Sequence, residues 1–301
     1  MRIAITGASG WLGRAAIATL LSKFGTDTVE ILAFGRTRKN IRIDEVEIEI
    51  LPIDELHAIQ DVRIFIHLAF KTRDKLAETS ISEYARENRL LTELAASYIR
   101  NQRPKSVVTI SSGAVFNAPN FNKTADSLED NPYGFLKIEE EKKLQTECVV
   151  AGANLVINRL WGLSGRDVQN PKPFALFDFI DKALRNIPIE INSSYQVWRR
   201  YVDARELMEL CISIALGGES LIFDSGGPKI EIGELANLVV ATLQSSSTVS
   251  RSQLTDSNQG DFYYSQSTRY EELFRAYLAR EPANIRSQIL ESSKYLSATS
   301  F

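Results

Sequence analysis

Ile3-Ala4-Ile5-Thr6-Gly7-Ala8-Ser9-Gly10-Trp11-Leu12-Gly13 is the stretch on which the fold turns. Arg2 to Thr6 reads as a strand, and Trp11 to Phe24 carries the apolar spacing of a helix. Three glycines mark the junction, Gly7 and Gly10 between the two elements and Gly13 in the first turn of the helix. Glycines in such a turn permit a positive φ, let backbone approach a ligand, and let helix pack closely on strand. The N–H groups at the start of the helix then face an anion, typically the pyrophosphate of a dinucleotide. Three glycines alone are a weak signal. Their position between a predicted strand and a predicted helix favours the dinucleotide over an ordinary turn.

Outward from this turn, strand and helix alternate. Val29 to Phe34, Glu47 to Ile53, Val62 to Phe70, Ser106 to Ser111 and Leu155 to Arg159 read as strands, and Ser82 to Arg100 and Tyr133 to Thr146 as helices. This order predicts an α/β fold, a Rossmann-type doubly wound parallel sheet, over residues 1–160. Residues 161–301 are expected to form mainly a smaller C-terminal substrate-binding lobe, with the segment from about 201 to 224 returning to the sheet domain. Gly162, Gly165, Pro171, Pro173 and Pro188 break residues 161–200 into short pieces. Asp203 to Leu216 and Ile232 to Gln244 are helical, Leu221 to Asp224 is strand-like, and the serine run from Ser245 to Ser252 reads as a surface loop.

The second strand ends in Phe34-Gly35-Arg36-Thr37-Arg38-Lys39, with no carboxylate to bind the ribose hydroxyls of NAD. Arg36 can clamp a 2′-phosphate, and Arg38 and Lys39 add positive field, so NADP (NADPH) is favoured over NAD.

Composition removes whole classes. The 44% hydrophobic and 24% charged fractions are those of a soluble globular chain. With 35 basic and 38 acidic side chains the net charge is −3, so neither nucleic acid nor a membrane surface is an expected partner. No run approaches a transmembrane length, and a strand beginning at Arg2 leaves no room for a signal peptide. Cys148 and Cys211 read as buried, reduced thiols of a cytoplasmic protein. His57 and His67 are the only imidazoles and lack a second ligand at metal spacing, so no metal is expected.

Two hydroxyl-bearing elements carry the chemistry. Ser111-Ser112-Gly113-Ala114-Val115-Phe116 ends a strand, which puts Ser112 on the same rim as the glycine turn. Tyr133 and Lys137 share a face of the next helix, where an ammonium would lower the tyrosine pKa toward neutrality. The run Glu139-Glu140-Glu141-Lys142-Lys143 suggests that half of that helix faces water.

These pieces, in order over residues 1–160, resemble an extended short-chain dehydrogenase/reductase of the NAD-dependent epimerase/dehydratase family, which acts mostly on nucleotide sugars. The matching residues are Thr6 to Gly13, Asp54, His67-Leu68-Ala69, Asn88, Ser111 to Phe116, Tyr133 and Lys137. The resemblance implies that Tyr133 exchanges a proton with the sugar oxygen, that Ser112 hydrogen-bonds that oxygen, and that Lys137 holds the nicotinamide ribose. It places Asp54 at the adenine, Leu68 and Ala69 along the ribose and pyrophosphate, and Asn88 on the substrate side in support of the proton path. Gln196-Val197-Trp198-Arg199-Arg200-Tyr201-Val202 resembles the segment whose arginine grips the substrate diphosphate, a role mapped to Arg199. It also implies a homodimer through the helices carrying Asn88 and Tyr133.

Departures narrow the reaction. Gly113-Ala114 stands where the family's dehydratases carry an acidic pair, and Arg36 stands where its epimerases keep an acid. Gly162 replaces a substrate-binding asparagine, and Leu136 a small serine. The leading expectation is therefore an NADPH-dependent reductase of a nucleotide-linked keto-sugar, serving surface polysaccharide or deoxysugar biosynthesis. The alternatives are an NAD(P)-dependent nucleotide-sugar epimerase, a reductase of a non-sugar ketone or aldehyde, and a non-catalytic NADP-binding redox sensor.

Overall fold

The structure is a computed structural model and describes residues 1–117, 123–254 and 260–298. It divides into two compact units, Met1–Leu160 with Met208–Phe223, and Trp161–Leu207 with Asp224–Phe301.

The first unit contains β1 (Arg2–Thr6), α1 (Trp11–Phe24), β2 (Glu30–Gly35), β3 (Lys39–Ile43), β4 (Val46–Pro52), β5 (Ile64–His67), α2 (Ile81–Gln102), β6 (Ser106–Ser112), α3 (Pro132–Ala151) and β7 (Asn154–Leu160). One eight-stranded sheet runs in the order Leu221–Asp224, β7, β6, β5, β1, β2, β4, β3. From β4 to β7 every pair is parallel, and β3 turns back antiparallel on β4. The chain winds outward from β1 in both directions. The reversal lies between β1 and β5, which are paired through Ile5 with Ile66 and Thr6 with His67. Ligands of such sheets bind beyond the strand ends at that reversal. The central strands are short apolar runs because both faces are covered, and Ile3, Ala4, Ile5, Ile64, Phe65 and Ile66 are fully buried. This is an α/β Rossmann-type fold.

Two local expectations for this unit are corrected. The second strand ends at Gly35, and Lys39 opens β3, because Ile41 and Ile43 alternate with polar residues and a turn at Asp44, with φ at +48°, folds the strand onto β4. The charged run of α3 does not simply face water. Glu140 and Glu141 are buried, the latter paired with Arg159 at 2.7 Å, while Lys142 is exposed. Cys148 and Cys211 are buried and free. Among the described residues no helix is long and apolar enough to cross a membrane.

In the second unit, helices Ala175–Leu184, Ile232–Leu243 and Ile285–Ala298 share a core of Leu176, Ile180, Leu235, Ala236, Val239 and Ile289. The first of these helices lies among the breakers that suggested only short pieces; its apolar spacing at Leu176, Phe179, Ile180 and Ala183 outweighs them. Strand Val197–Arg200 runs antiparallel to Lys229–Glu231 and parallel to Asp261–Tyr263. The serine run is only partly a loop. Val249–Arg251 pairs with Ile189–Ile191, and the Ser245 hydroxyl donates to the Ala183 carbonyl at 2.7 Å, closing the end of the first helix.

Candidate active site

Gly7 has φ at +69°, and a Cβ there would lie 2.6 Å from the Leu68 carbonyl carbon and oxygen and 2.7 Å from the Ala69 nitrogen. Only glycine fits a turn pressed so closely against the chain leaving β5. Thr6 ties the two together: its carbonyl accepts from Leu68 N at 3.1 Å, and its hydroxyl accepts from Leu68 N at 3.3 Å and Ala69 N at 3.4 Å. Gly10 caps α1 without a side chain, and the first turn, beginning with Trp11, Leu12 and Gly13, carries no acid. The positive end of the helix dipole is left uncompensated there.

Arg36 follows β2 and is exposed, with no hydrogen bond or ion pair among the described residues. Its neighbour differs. The Arg38 guanidinium is shared between Glu49 at 2.5 Å and Glu55 at 2.7 Å, so it adds little field. Asp54 is exposed in the 3-10 turn Ile53–Ala58 that follows β4, at the same end of the sheet.

Ser112 closes β6 and accepts from Ala114 N at 3.1 Å. Asn131 caps α3 by accepting from Gly134 N at 3.0 Å and donates to the Ala114 carbonyl at 2.8 Å, and Pro132 takes the first helical position. A Cβ on Gly134 would collide with that carbonyl. The start of α3 is thus pinned against the end of β6, and Tyr133 is hydrogen-bonded to Ser112.

The electrostatics reverse one expectation. Burial of its hydroxyl pushes the Tyr133 pKa up to about 12; the Ser112 hydrogen bond opposes this, and the Glu140 carboxylate adds to it. The Lys137 ammonium has partners of its own: Nζ donates to Glu140 Oε2 at 2.7 Å and to the Ile110 carbonyl at 3.0 Å, and lies 3.8 Å from the centroid of the Phe70 ring. Phe70 also meets the edge of Tyr133, with centroids 5.8 Å apart.

Asn88 is buried and its amide is engaged, accepting from Lys71 N at 2.7 Å and donating to Lys71 O at 3.4 Å. It fastens the segment that carries Phe70. In the second unit, Arg199 is held by both oxygens of Asp261, at 3.0 and 2.6 Å, and by the Trp198 and Asp261 carbonyls. Arg200 is bound to Glu271 at 2.6 Å and to three backbone carbonyls. The structure therefore gathers Gly7, Leu68, Ala69, Ser112, Tyr133 and Lys137 at one rim of the first unit's sheet, and gives both arginines of the second unit partners of their own. His67 and Glu140 had no assigned part. A carboxylate three residues after Lys137 was the available signal for Glu140.

Residues 3–220 match the model of the NAD dependent epimerase/dehydratase family. The chain belongs to that family. It is accordingly an enzyme of the extended short-chain dehydrogenase/reductase type, a group of nucleotide-sugar epimerases, dehydratases and reductases. Over 239 residues it is 26% identical to the UDP-2-acetamido-2,6-beta-L-arabino-hexul-4-ose reductase of Pseudomonas aeruginosa, a match covering 78% of this chain and 56% of that protein. The chain thus spans little more than half the length of that curated relative. Among solved structures it resembles the UDP-glucose 4-epimerase of Thermotoga maritima with UDP-glucose (TM-score 0.77, 15% identity, 99% of each chain). It also resembles the UDP-glucose 4-epimerase of Thermus thermophilus in complex with NAD (TM-score 0.75, 15% identity, 100% of each chain). These two likenesses are of fold. The residues of this family member fit a nicotinamide dinucleotide: the Gly7 cradle is one a Cβ would fill, and the uncapped start of α1 offers backbone donors to a pyrophosphate.

Proposed function

We propose that the chain is an NADPH-dependent reductase of a nucleotide-linked keto-sugar, acting in the cytoplasm in surface polysaccharide or deoxysugar biosynthesis. The observation that carries this reading is the Tyr133 hydroxyl, bonded to Ser112 and held in its protonated form at the rim of the glycine turn. Tyr133 gives its proton to the carbonyl oxygen, and Ser112 donates to the same oxygen as negative charge grows on it. The bound dinucleotide supplies the hydride to the carbonyl carbon. Lys137 directs its remaining N–H to the nicotinamide ribose. Gly7, Gly10, Trp11, Leu12 and Gly13 receive the pyrophosphate, Leu68 and Ala69 border it, and Asp54 contacts the adenine.

Arg36, exposed and in no ion pair among the described residues, is the residue that selects a 2′-phosphate and hence NADPH. The first unit serves as the dinucleotide-binding domain and the second as the substrate lobe. Arg199 meets the substrate diphosphate in exchange for Asp261, and Asn88 acts through the Lys71 backbone that it clamps. The relative's reductase activity on a UDP-linked ketose supports the reaction type.

A stability-shift screen of NADPH and NADH, each with UDP-, dTDP-, GDP- and CDP-sugars, tests the reading, since ligands of the native state raise its stability. NADPH should stabilise more than NADH, and one nucleotide class should add to it. Equal responses to the two dinucleotides remove the role of Arg36; no response to any nucleotide sugar points to a non-sugar carbonyl.

A further inference from the structure

Three buried ionisable side chains of the first unit lie in a row. Lys137, Glu140 and His67 are 4%, 1% and 1% exposed. Glu140 extends one oxygen to Lys137 Nζ at 2.7 Å and the other to His67 Nε2 at 3.4 Å. His67 Nδ1 lies 2.8 Å from the Thr6 hydroxyl, which itself accepts the Leu68 and Ala69 N–H groups. If the Thr6 hydroxyl, which already accepts those N–H groups, donates to Nδ1, the imidazole carries its proton on Nε2, the nitrogen nearer Glu140. Burial alone would push the Glu140 carboxyl up, yet Lys137 and His67 hold it below the ordinary carboxylate range. One carboxylate and one ammonium then cancel in a dry site.

An unpaired ammonium beside a phenol draws off its proton, whereas an ammonium bound to a carboxylate is a short dipole with a weaker field at a distance. We propose that Glu140, buried beside His67, is a positioning residue that binds the charge of Lys137 and thereby keeps Tyr133 a protonated donor through the neutral and mildly alkaline range. This rests on the reading of Tyr133 as the proton donor. Such a site suits carbonyl reduction, which begins with the phenol, over alcohol oxidation, which begins with the phenolate. The remaining charged groups facing Tyr133 are Arg73 and Asp74 of the turn Arg73–Glu78, of opposite sign, together with the neutral Tyr84 of α2 and Ser112 of β6. Tyr133's own upward shift, with Glu140 among its causes, agrees.

The test is an ultraviolet phenolate titration of the full-length protein, taking wild type minus Tyr133→Phe as the signal of Tyr133, with thermal melts as the control for folding. Wild-type Tyr133 should ionise well above the ordinary value of about 10. In Glu140→Gln, read against the matching double variant with Tyr133→Phe, its ionisation should fall by at least about one pH unit. Glu140→Asp, which keeps the charge, should restore most of the wild-type value. The alkaline limb of kcat for carbonyl reduction should move down with the titration. A folded Glu140→Gln with an unmoved titration overturns the proposal. If that variant does not fold, ionisation of wild-type Tyr133 at or below about 10 overturns it instead. Full activity in Tyr133→Phe defeats a different claim, the donor role itself, and leaves the titration to judge Glu140 separately.

Discussion

The glycine turn of the first unit and the arginine strand of the second are both built to meet phosphate, and they differ in what occupies them. At the turn the donors are backbone N–H groups at the start of α1, with no side-chain cap and no acid beside them. On strand Val197–Arg200 the donors are two guanidinium forks, and each holds a carboxylate from more than sixty residues away in the chain, Asp261 for Arg199 and Glu271 for Arg200. A backbone site carries its own constraint and stays open. A side-chain site is open only if the rest of the fold leaves it so.

The largest effect expected concerns the chemistry beside the open site. Tyr133→Phe should lower kcat by about a thousandfold, with dinucleotide binding followed by fluorescence nearly unchanged. Gly7→Ala attacks the openness itself. It forces a side chain into the left-handed region and against Leu68, so a loss of about 3 kcal/mol in a urea melt is expected, together with loss of dinucleotide binding. If Gly7→Ala folds and binds normally, the backbone half of the comparison fails.

Arg36→Ala should reduce the preference for NADPH over NADH by about ten- to a hundredfold, measured as the ratio of dissociation constants. Asp203 tests the second unit. Burial pushes its pKa up to about 6, against the Arg205 and Glu206 backbone N–H groups it accepts. A raised carboxyl contributes stability below its unfolded pKa and loses it as pH rises through the folded value. Asp203→Asn, which can cap the same helix, should therefore gain about 1–3 kcal/mol near pH 7 and nothing at pH ~3. The smallest effect sharpens the contrast most directly. Asp261→Asn frees Arg199 and should tighten nucleoside diphosphate binding by about threefold in a calorimetric titration; weaker binding would mean that the pair, and not the bare arginine, shapes the site.

Legibility in the sequence followed the same division. β1, its turn and α1 were readable because strand, glycines and helix are contiguous, and the buried strands β5 and β6 stood out as apolar runs. The β3–β4 hairpin was hidden because its turn, at Asp44 and Glu45, lacks glycine, so the basic residues before it read as the end of the second strand. Lys137 was legible as a residue and not as an electrostatic object. Its effect on Tyr133 depends on Glu140, whose burial no local pattern announced, and on His67, seventy residues earlier. Arg199 and Arg200 were visible as a positive pair; the acids that neutralise them were not.

The return of Met208–Phe223 to the first unit has a bearing on synthesis. Ser106 donates to the Ala215 carbonyl at 2.7 Å, Leu155 N to the Ser220 hydroxyl at 3.1 Å, and Asn158 to the Phe223 carbonyl at 3.2 Å. A nascent chain released only as far as Leu160 therefore has β7 as a bare sheet edge, the kind of edge that recruits foreign strands. At about 5–20 residues per second the ribosome needs roughly 3–13 s more to deliver residue 223. During that interval the half-made sheet is the part of the molecule most in need of a chaperone.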